Sequence, residues 1–441
     1  MTDTTYFGGK IINPKSKDVY FYKNNQLLDS AQLDFKNKFL FKFDSLKVGL
    51  YTFEHGNEIQ FLFLEPSDSL LLRLNTWDFD ESLVYSGKGA EKNNLLLNMF
   101  LENEKEDKFI LKYYALNDSL FELKIDSLLQ LKKLLYKQYK EEITEVNPLF
   151  DKFMNAAIYL PLYKKKEAYP YRNKRALKLS KYPTINPIFY KYRQDINLED
   201  EDLQNFYAYT GYIRDYMRHL GYEKTITNEG SHIKANFIEA TVNHLHLDDL
   251  KSRFLYEGMW NIMLDDQIAE SETQRAQDLF FEHCKDDELK ENIGKLVKAS
   301  KAPVKGTQLP ILKVYSYDDD HISINDHTHN MNSVIYFWPK GLRQIENLAK
   351  RINYLEKKHP TIRFIGIDAY HVDYNWKSYV KVNKFNPNNQ FRLDTQSNDN
   401  NWLFIDYSRT ILIDKDGIVR NGFTHLSSNK FEHQLKKLKK D

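Results

Sequence analysis

The sequence predicts a multidomain α+β protein with an N-terminal antiparallel β-sandwich, a helical middle domain and a C-terminal α/β domain. Three patterns along the 441 residues indicate this order. Short β-rich runs recur about every ten residues as far as Gly89. Apolar residues then recur three and four apart to about residue 301, and strands alternate with helices after that. We therefore expect domains at residues 1–89, 90–301 and 302–441.

The first domain is predicted from runs of apolar residues that end at turn signals. Residues 39–43 precede Asp44 and Ser45, and residues 59–64 end at Glu65 and Pro66. Regular spacing of short strands and turns is typical of a small antiparallel sandwich.

The middle domain is predicted from amphipathic helical periods. Behind a capping Asp118, apolar residues fall on one face of a helix. Similar patterns cover residues 147–162, 199–220, 231–245, 247–264 and 271–284. The prolines at 170, 183 and 187 predict a loop between them. An aromatic stripe at residues 206–217 is interpreted as core.

The composition excludes several classes of function. The chain carries 63 basic and 62 acidic residues, so no global field attracts nucleic acid. No run approaches the ~18–20 apolar residues of a membrane helix, and the first five residues lack a signal-peptide pattern. The single cysteine, Cys284, excludes an internal disulfide and a thiolate metal cluster.

Motifs in the last third resemble the TlpA/ResA-like branch of the thioredoxin superfamily. Gly306 and Pro310 open the segment, and the strand at residues 334–338 ends in Phe-Trp. Residues 363–368 and the hairpin at 410–419, with its Ile-Leu-Ile-Asp-x-x-Gly-like pattern, match later family segments. The resemblance implies a thioredoxin-like domain in this region.

The residues that carry redox chemistry in that family are replaced here. Alignment without a gap places Leu342 and Ile345 where the family has Cys-x-x-Cys, and Ser408 where it has a cis-proline. Disulfide exchange requires a thiolate, so we expect no such activity from this site. We interpret Trp338, Pro339, Leu342, Ile345 and Ser408 as an exposed apolar face that binds a protein partner.

Two other functions stay open. A thiol-disulfide oxidoreductase or peroxidase-like enzyme would use Cys284 or a partner's thiol, although a small buried hydrophobe is the favoured interpretation of Cys284. A small-ligand-binding protein would need an aromatic-lined pocket in the helical domain. The three-part layout also resembles extracytoplasmic proteins of Bacteroidetes. It implies the periplasm or cell envelope, as a lipoprotein whose signal segment is absent from this sequence, with the cytoplasm as the alternative.

We expect neither a metal nor a cofactor. Acidic residues and histidines cluster at 318–321 and 326–329, a composition that suits divalent cations, but this segment is also a predicted polar turn. His244 and His246 are two residues apart on a predicted helix and so face different directions. Both groups are interpreted as structural.

Overall fold

In the computed structural model, the N-terminal residues form two four-stranded sheets packed face to face. The structure describes residues 4–56, 58–265, 267–339, 342–370, 376–403, 409–428 and 430–439, without the side chains of residues 342 and 343. The sheet orders are β4-β1-β7-β8 and β3-β2-β5-β6. The strands are β1 (Thr5–Ile12), β2 (Asp18–Lys23), β3 (Gln26–Gln32), β4 (Lys38–Phe43), β5 (Gly49–His55), β6 (Glu58–Leu64), β7 (Ser69–Asn75) and β8 (Val84–Lys88).

The core of this sandwich is aromatic. Phe7 of β1 lies with its ring centroid 5.7 Å from Phe21 and 5.5 Å from Phe53, both on the opposite sheet. Along β5, every second residue is buried, so one face points into this core and the other points out. The inward-facing residues of β5 are buried in the core, and its outward-facing residues line a groove.

Five helices follow or interrupt these strands. They are α1 (Phe79–Ser82), α2 (Ala90–Phe109), α3 (Asp118–Glu142), α4 (Pro148–Leu177) and α5 (Tyr207–Thr227), with 3₁₀ helices at Ile110–Ala115 and Pro187–Asp195. The predicted break at Pro170 is wrong, because α4 runs through both Pro161 and Pro170. Each proline costs one backbone hydrogen bond, and burial of the flanking side chains keeps the helix intact.

The remaining helices and strands form a second assembly. The helices are α6 (Ile233–His244), α7 (Asp248–Met263), α8 (Glu270–His283), α9 (Asp287–Ser300), α10 (Asn325–Thr328), α11 (Leu342–Lys358), α12 (Trp376–Val382) and α13 (Phe431–Leu438). The strands are β9 (Lys313–Tyr315), β10 (His321–Ser323), β11 (Ser333–Phe337), β12 (Arg363–Asp368), β13 (Gln390–Leu393), β14 (Thr410–Ile413) and β15 (Val419–Thr424), with short 3₁₀ helices at Pro387–Asn389 and Asn398–Asn400.

These seven strands form one mixed sheet in the order β10-β9-β13-β12-β11-β14-β15. β11 and β12 are parallel and joined by α11, whereas β14 and β15 are an antiparallel hairpin followed by α13. This βαβ–ββα arrangement is the core topology of the thioredoxin fold. The predicted α/β character of the C-terminal region is confirmed.

The hairpin motif has a local physical cause. The buried Asp414 carboxylate accepts hydrogen bonds from the backbone N–H of Asp416 (3.0 Å) and Ile418 (2.9 Å). Gly417 completes the turn at a φ of 80°, in the left-handed region that suits glycine. The sequence Asp-Lys-Asp-Gly therefore specifies the tight reversal between β14 and β15.

The chain divides into two compact units that differ from the expected domains. Unit 1 comprises residues 1–223 and 244–247, and unit 2 comprises residues 224–243 and 248–441. The division falls inside the segment predicted as one helical domain. The expected limits near residues 89 and 301 coincide with changes of secondary structure, at the start of α2 and the end of α9. None of the described helices is long and apolar enough to cross a membrane.

Candidate functional site

Trp338 and Ile345 lie inside the core of unit 2, so the predicted exposed apolar face is wrong for these two side chains. Trp338 is 1% exposed and Ile345 is fully buried. The Trp338 ring centroid lies 5.4 Å from that of Phe385, and its Nε1–H donates to Gln390 Oε1 at 3.1 Å. A side chain with these internal partners offers no surface to another protein.

The other residues of the predicted face are only partly described. Pro339 is half-buried after β11, and Leu342 is the first residue of α11. The side chain of Leu342 and the whole of Ser408 lie outside the described residues. The position of Ile345 could have been found from sequence, because it begins a stripe with Ala349 and Ile352 at helical spacing, and that stripe is buried.

A buried polar network lies beside Trp338. Gln390, fully buried at the start of β13, donates from Nε2 to the Tyr336 hydroxyl at 3.1 Å and accepts from Trp338. Gly366 makes room for the network, since a Cβ there would lie 2.1 Å from the Gln390 amide oxygen. The interactions of Gln390 are structural and leave no general acid, base or nucleophile among these three side chains.

Cys284 is buried at the end of α8 and belongs to the core formed by α6–α9. Its Sγ lies 3.6 Å from the backbone oxygen of Asp286. A thiol with no exposed surface cannot attack a disulfide of another protein, because the attacking sulfur must reach its target. The interpretation of Cys284 as a small buried hydrophobe is confirmed.

The histidines considered as metal ligands from the sequence do not converge on a common point. His321 Nε2 lies 2.9 Å from Asp394 Oδ2, a pair that links β10 to the residue after β13. His246 lies 3.8 Å from Glu199, and His244 ends α6. Over the described ranges, no three metal-ligating side chains converge.

Arg409, immediately before β14, is a buried cation that sequence analysis missed. It is 1% exposed, and its Nη1 donates to the backbone oxygens of Ala299 and Ala302, each at 2.7 Å. Burial lowers the pKa of Arg409 to about 10. Because unpaired carbonyls at a helix C-terminus carry partial negative charge, the guanidinium fixes the end of α9 beside the sheet.

Unit 1 contains an open groove of about 560 Å³ that no sequence motif predicted. Its floor is the outward face of β5, with Leu50, Thr52 and Glu54, and the neighbouring β2 and β6 contribute Tyr22 and Phe61. The opposite wall comes from the start of α4 and from residues 201–205. Regular alternation along β5 explains this placement, because residues of one parity enter the core and the others face the groove.

Hydrogen bonds hold the ends of the groove in place. Asn25 Nδ2 donates to Asn205 Oδ1 at 3.1 Å, which links the β2–β3 turn to the opposite wall. Lys23 Nζ donates to the Tyr51 hydroxyl at 3.2 Å, and burial together with Lys47 lowers the pKa of Lys23. Lys23 is therefore already engaged in a hydrogen bond, and these contacts hold the adjoining wall of the groove in place.

The remaining charge of the groove is acidic. Burial, with a contribution from the neighbouring Glu54 carboxylate, raises the pKa of Tyr22, whose hydroxyl hydrogen-bonds to Glu54. Glu201 and Asp202 are exposed on the opposite wall, and Asp202 is paired with Lys152 at 2.6 Å. The groove therefore combines aromatic rings with carboxylates and amides, a lining suited to a polar chain that carries donors or a positive charge.

A second polar cluster in unit 1 is closed to solvent. Glu167 of α4 is fully buried, and its carboxylate accepts from Arg193 Nε at 2.9 Å and Arg193 Nη2 at 2.5 Å. The Tyr192 hydroxyl donates to the same carboxylate at 2.8 Å, and His219 Nδ1 lies 2.9 Å from the Glu167 backbone oxygen. Because the Glu167 carboxylate at the centre of this network is fully buried and hydrogen-bonded, the network is an element of stability rather than a binding site.

Comparison with known proteins adds solved structures similar to part of the chain. The thioredoxin domain of a thiol-disulfide oxidoreductase from Bacteroides vulgatus is 18% identical, with a TM-score of 0.25, and the match covers 31% of this chain and 98% of that one. A thiol:disulfide interchange protein from Bacteroides sp. is 18% identical over 27% of this chain and 80% of its own, with a TM-score of 0.23. A secreted disulfide oxidoreductase of Mycobacterium tuberculosis is 14% identical over 28% and 94%, with a TM-score of 0.23. No protein-family model and no curated protein matches the chain.

Proposed function

We propose that this chain is a redox-inactive, non-catalytic thioredoxin-like protein that binds a protein partner. The observation that carries the proposal is that the chain has one cysteine and that its thiol is buried. The ungapped alignment predicts Leu342 and Ile345 at the positions of the redox pair. Ile345 is in the core, and the single thiol of the chain, Cys284, is fully buried. Thioredoxin-like chemistry requires an accessible thiolate and a resolving thiol, and the chain supplies neither.

The groove of unit 1 is the proposed partner site, in place of the apolar face first expected. It is partly open to solvent and mixed in polarity, which favours an extended polypeptide segment over a small molecule enclosed on all sides. Glu54 and Glu201 outnumber the single lysine of the lining, Lys23, which already contacts Tyr51. The proposed partner segment therefore carries a basic side chain.

An insulin-reduction assay tests the loss of redox activity. We expect the full chain to reduce insulin no faster than the dithiothreitol background, and Cys284→Ser to behave identically. Turnover by the wild-type chain that Cys284→Ser abolishes would overturn the proposal and establish the thiol-enzyme alternative.

A groove-filling variant tests the partner site. Thr52 lies half-buried on the groove floor, whereas Ser30 is exposed on β3 of the same sheet and does not line the groove. Cross-linked capture from a cell-envelope fraction is expected to lose its specific partner with Thr52→Arg and to retain it with the control Ser30→Arg. Equal capture by both variants would remove the groove from the proposal.

A small ligand is the second candidate for the same groove, favoured by the rings of Tyr22 and Phe61 on its walls. Native mass spectrometry of the purified chain separates the two, since a retained small molecule would add a mass increment that Thr52→Arg abolishes. Location in the periplasm or cell envelope is part of the proposal, and fractionation of the source cells tests it.

A further inference from the structure

The outward face of the sheet β4-β1-β7-β8 combines exposed cations with exposed apolar side chains. The strand register aligns twelve outward residues in three rows that cross the four strands. In strand order, the rows are Lys38, Lys10, Arg73 and Val84; Leu40, Gly8, Leu71 and Ser86; and Lys42, Tyr6, Ser69 and Lys88. All five cations are exposed, and none of the twelve positions holds a carboxylate. We call these twelve residues the basic face.

The first row places three cations side by side without a counter-ion. Lys10 lies directly opposite Lys38 in the antiparallel pair of β1 and β4, and it is the register partner of Arg73 in the parallel pair of β1 and β7. Neighbouring strands are only about 4.8 Å apart, and like charges directly opposite one another destabilise a sheet. Among the described residues, no carboxylate lies within ion-pair distance of these three side chains. The stability of the sheet does not explain this row, whereas binding of an anionic partner does.

The other two cations of the basic face are also accessible. Lys88 has no carboxylate within ion-pair distance in the part of the chain that the structure describes. Lys42 lies 3.3 Å from Asp44, but both side chains are more than half exposed, and an exposed pair of this kind is weak. From the spacing of strands and of residues along them, the five charges spread over roughly 14 by 13 Å. The basic face is therefore a compact positive surface.

Apolar side chains lie between and beside these charges. Leu40 and Leu71 occupy the middle row, between the two rows of cations, and are 58% and 45% exposed. Gly8 separates them and adds no polar side chain. Phe35, in the turn before β4, is 90% exposed, and the turn lies beside the end of β1 because the Ile11 N–H donates to the Asn37 carbonyl at 3.0 Å.

The charge of the turn that carries Phe35 does not cancel that of the basic face. Its aspartate, Asp34, accepts hydrogen bonds from the backbone N–H groups of Lys36 and Lys38 through Oδ1, each at 2.8 Å. The exposed Lys36 side chain stands next to Phe35 and contributes a further positive charge at this edge. Exposed apolar side chains among lysines and arginines are typical of surfaces that bind the boundary between lipid headgroups and acyl chains.

From this arrangement we propose that the basic face docks on the surface of an anionic lipid bilayer. The cations contact lipid phosphates, and Leu40, Leu71 and Phe35 enter the boundary between headgroups and acyl chains. Duplex nucleic acid would match the charges but would leave these three side chains without an apolar environment. The basic face belongs to the sheet opposite the one that lines the groove over β5, so the proposal does not depend on the partner site.

Co-sedimentation of the full chain with vesicles tests the proposal. We expect binding to vesicles of equal parts phosphatidylglycerol and phosphatidylcholine, and none to phosphatidylcholine alone. Binding should be strong at about 0.1 M salt and weak at about 1 M, because the screening length falls from about 10 Å to about 3 Å. A chain that does not bind the anionic vesicles at the lower salt concentration overturns the proposal.

Neutral substitutions in the first row test whether these cations form the contact. Each cation near an anionic bilayer contributes about fivefold in affinity, so Lys10→Gln, Lys38→Gln and Arg73→Gln together should weaken binding roughly a hundredfold. The triple variant should melt no lower than the wild type, since it removes like-charge contacts. The matched control neutralises three exposed cations at and after the end of α4, with Arg175→Gln, Lys178→Gln and Lys181→Gln. Equal weakening by both triple variants would show that net charge, not the basic face, drives binding.

A leucine variant distinguishes a bilayer from a purely ionic partner. Leu71→Ser leaves every charge in place and should weaken vesicle binding several-fold, because an apolar side chain no longer leaves water on docking. The control is Leu28→Ser on β3 of the other sheet, where the leucine is 50% exposed. Vesicle binding that Leu71→Ser leaves unchanged would make the contact purely ionic and overturn docking at the acyl boundary.

Duplex DNA tests the competing partner. At the same phosphate concentration as the vesicles, DNA is expected not to displace the wild-type chain from them. Complete displacement, together with DNA binding that the Lys10, Lys38 and Arg73 triple variant loses, would assign the basic face to nucleic acid and overturn the proposal.

Discussion

Replacement of Glu167 by glutamine should destabilise unit 1 strongly, although it removes only one charge. The Glu167 carboxylate has no exposed surface and takes two hydrogen bonds from Arg193 and one from Tyr192. A glutamine amide at this position would turn its N–H₂ group towards a guanidinium or a hydroxyl, both of which are donors. Arg193, only 21% exposed, would lose its buried counter-ion.

The expected size of the effect follows from burial. Breaking a buried ion pair by neutralising one partner costs about 3–5 kcal/mol. For a unit of this size, 1 kcal/mol shifts the melting temperature by roughly 2–4 °C, so Glu167→Gln should lower the transition of unit 1 by roughly 6–20 °C. The control is Glu223→Gln. Glu223 also contacts the cluster, through His219, but it is 49% exposed and should cost about 1 kcal/mol or less.

Differential scanning calorimetry of the full chain is the appropriate assay, because two units need not unfold in one transition. A double variant, Glu167→Gln with Arg193→Met, should recover part of the loss, since the uncompensated cation is removed as well. If Glu167→Gln melts within about 2 °C of the wild type, a shift below 1 kcal/mol by the same conversion, the buried pair does not stabilise unit 1 as argued.

Three shorter predictions concern unit 2. Burial would raise the pKa of Asp265, but hydrogen bonds from Lys234 (2.6 Å) and Lys430 (2.8 Å) lower it to about 2. Asp265→Asn should therefore lower the free energy of unfolding by about 2 kcal/mol at pH 7. Because the folded pKa lies below that of an unfolded aspartate, this contribution should fall to about half at pH 3, as urea unfolding at the two pH values would measure. Arg409→Met removes the side-chain donor of two backbone carbonyls, of which that of Ala299 keeps a bond from the Ala302 N–H. It should lower the free energy of unfolding by about 1–3 kcal/mol, whereas a loss below about 0.5 kcal/mol in urea unfolding would contradict the role given to that side chain. Cys284 should react with Ellman's reagent only after denaturation, and rapid labelling of the native chain would contradict its burial.

The C-terminal fold was predictable because its strands are marked by physics that acts locally. Strand β11 is buried at every position, and a continuous apolar run of this length is typical of a central strand in an α/β sheet. The Asp414–Gly417 turn is specified within four residues. Where a few neighbouring residues determine the structure, the sequence is sufficient to predict it.

Elements stabilised by contacts outside their own segment were missed. Strand β3 is almost entirely exposed and has no apolar alternation, so its pairing with β2 is the reason that it is a strand. Helix α4 continues through Pro170 because its surroundings bury it, which no local propensity reports. Residues 199–206 show the converse, since the apolar pattern predicts a helix there and α5 begins only at Tyr207.

The predicted binding face is wrong at Trp338 and Ile345, because both side chains are buried in the core of unit 2. The aliphatic side chain of Ile345 joins the buried stripe under α11, and burial of a side chain of this size is worth roughly 1.5–3 kcal/mol. Trp338, Gln390 and Arg409 are buried as well, and each makes hydrogen bonds within unit 2. A docking surface is therefore better sought where side chains stay accessible, as in the groove over β5 in unit 1.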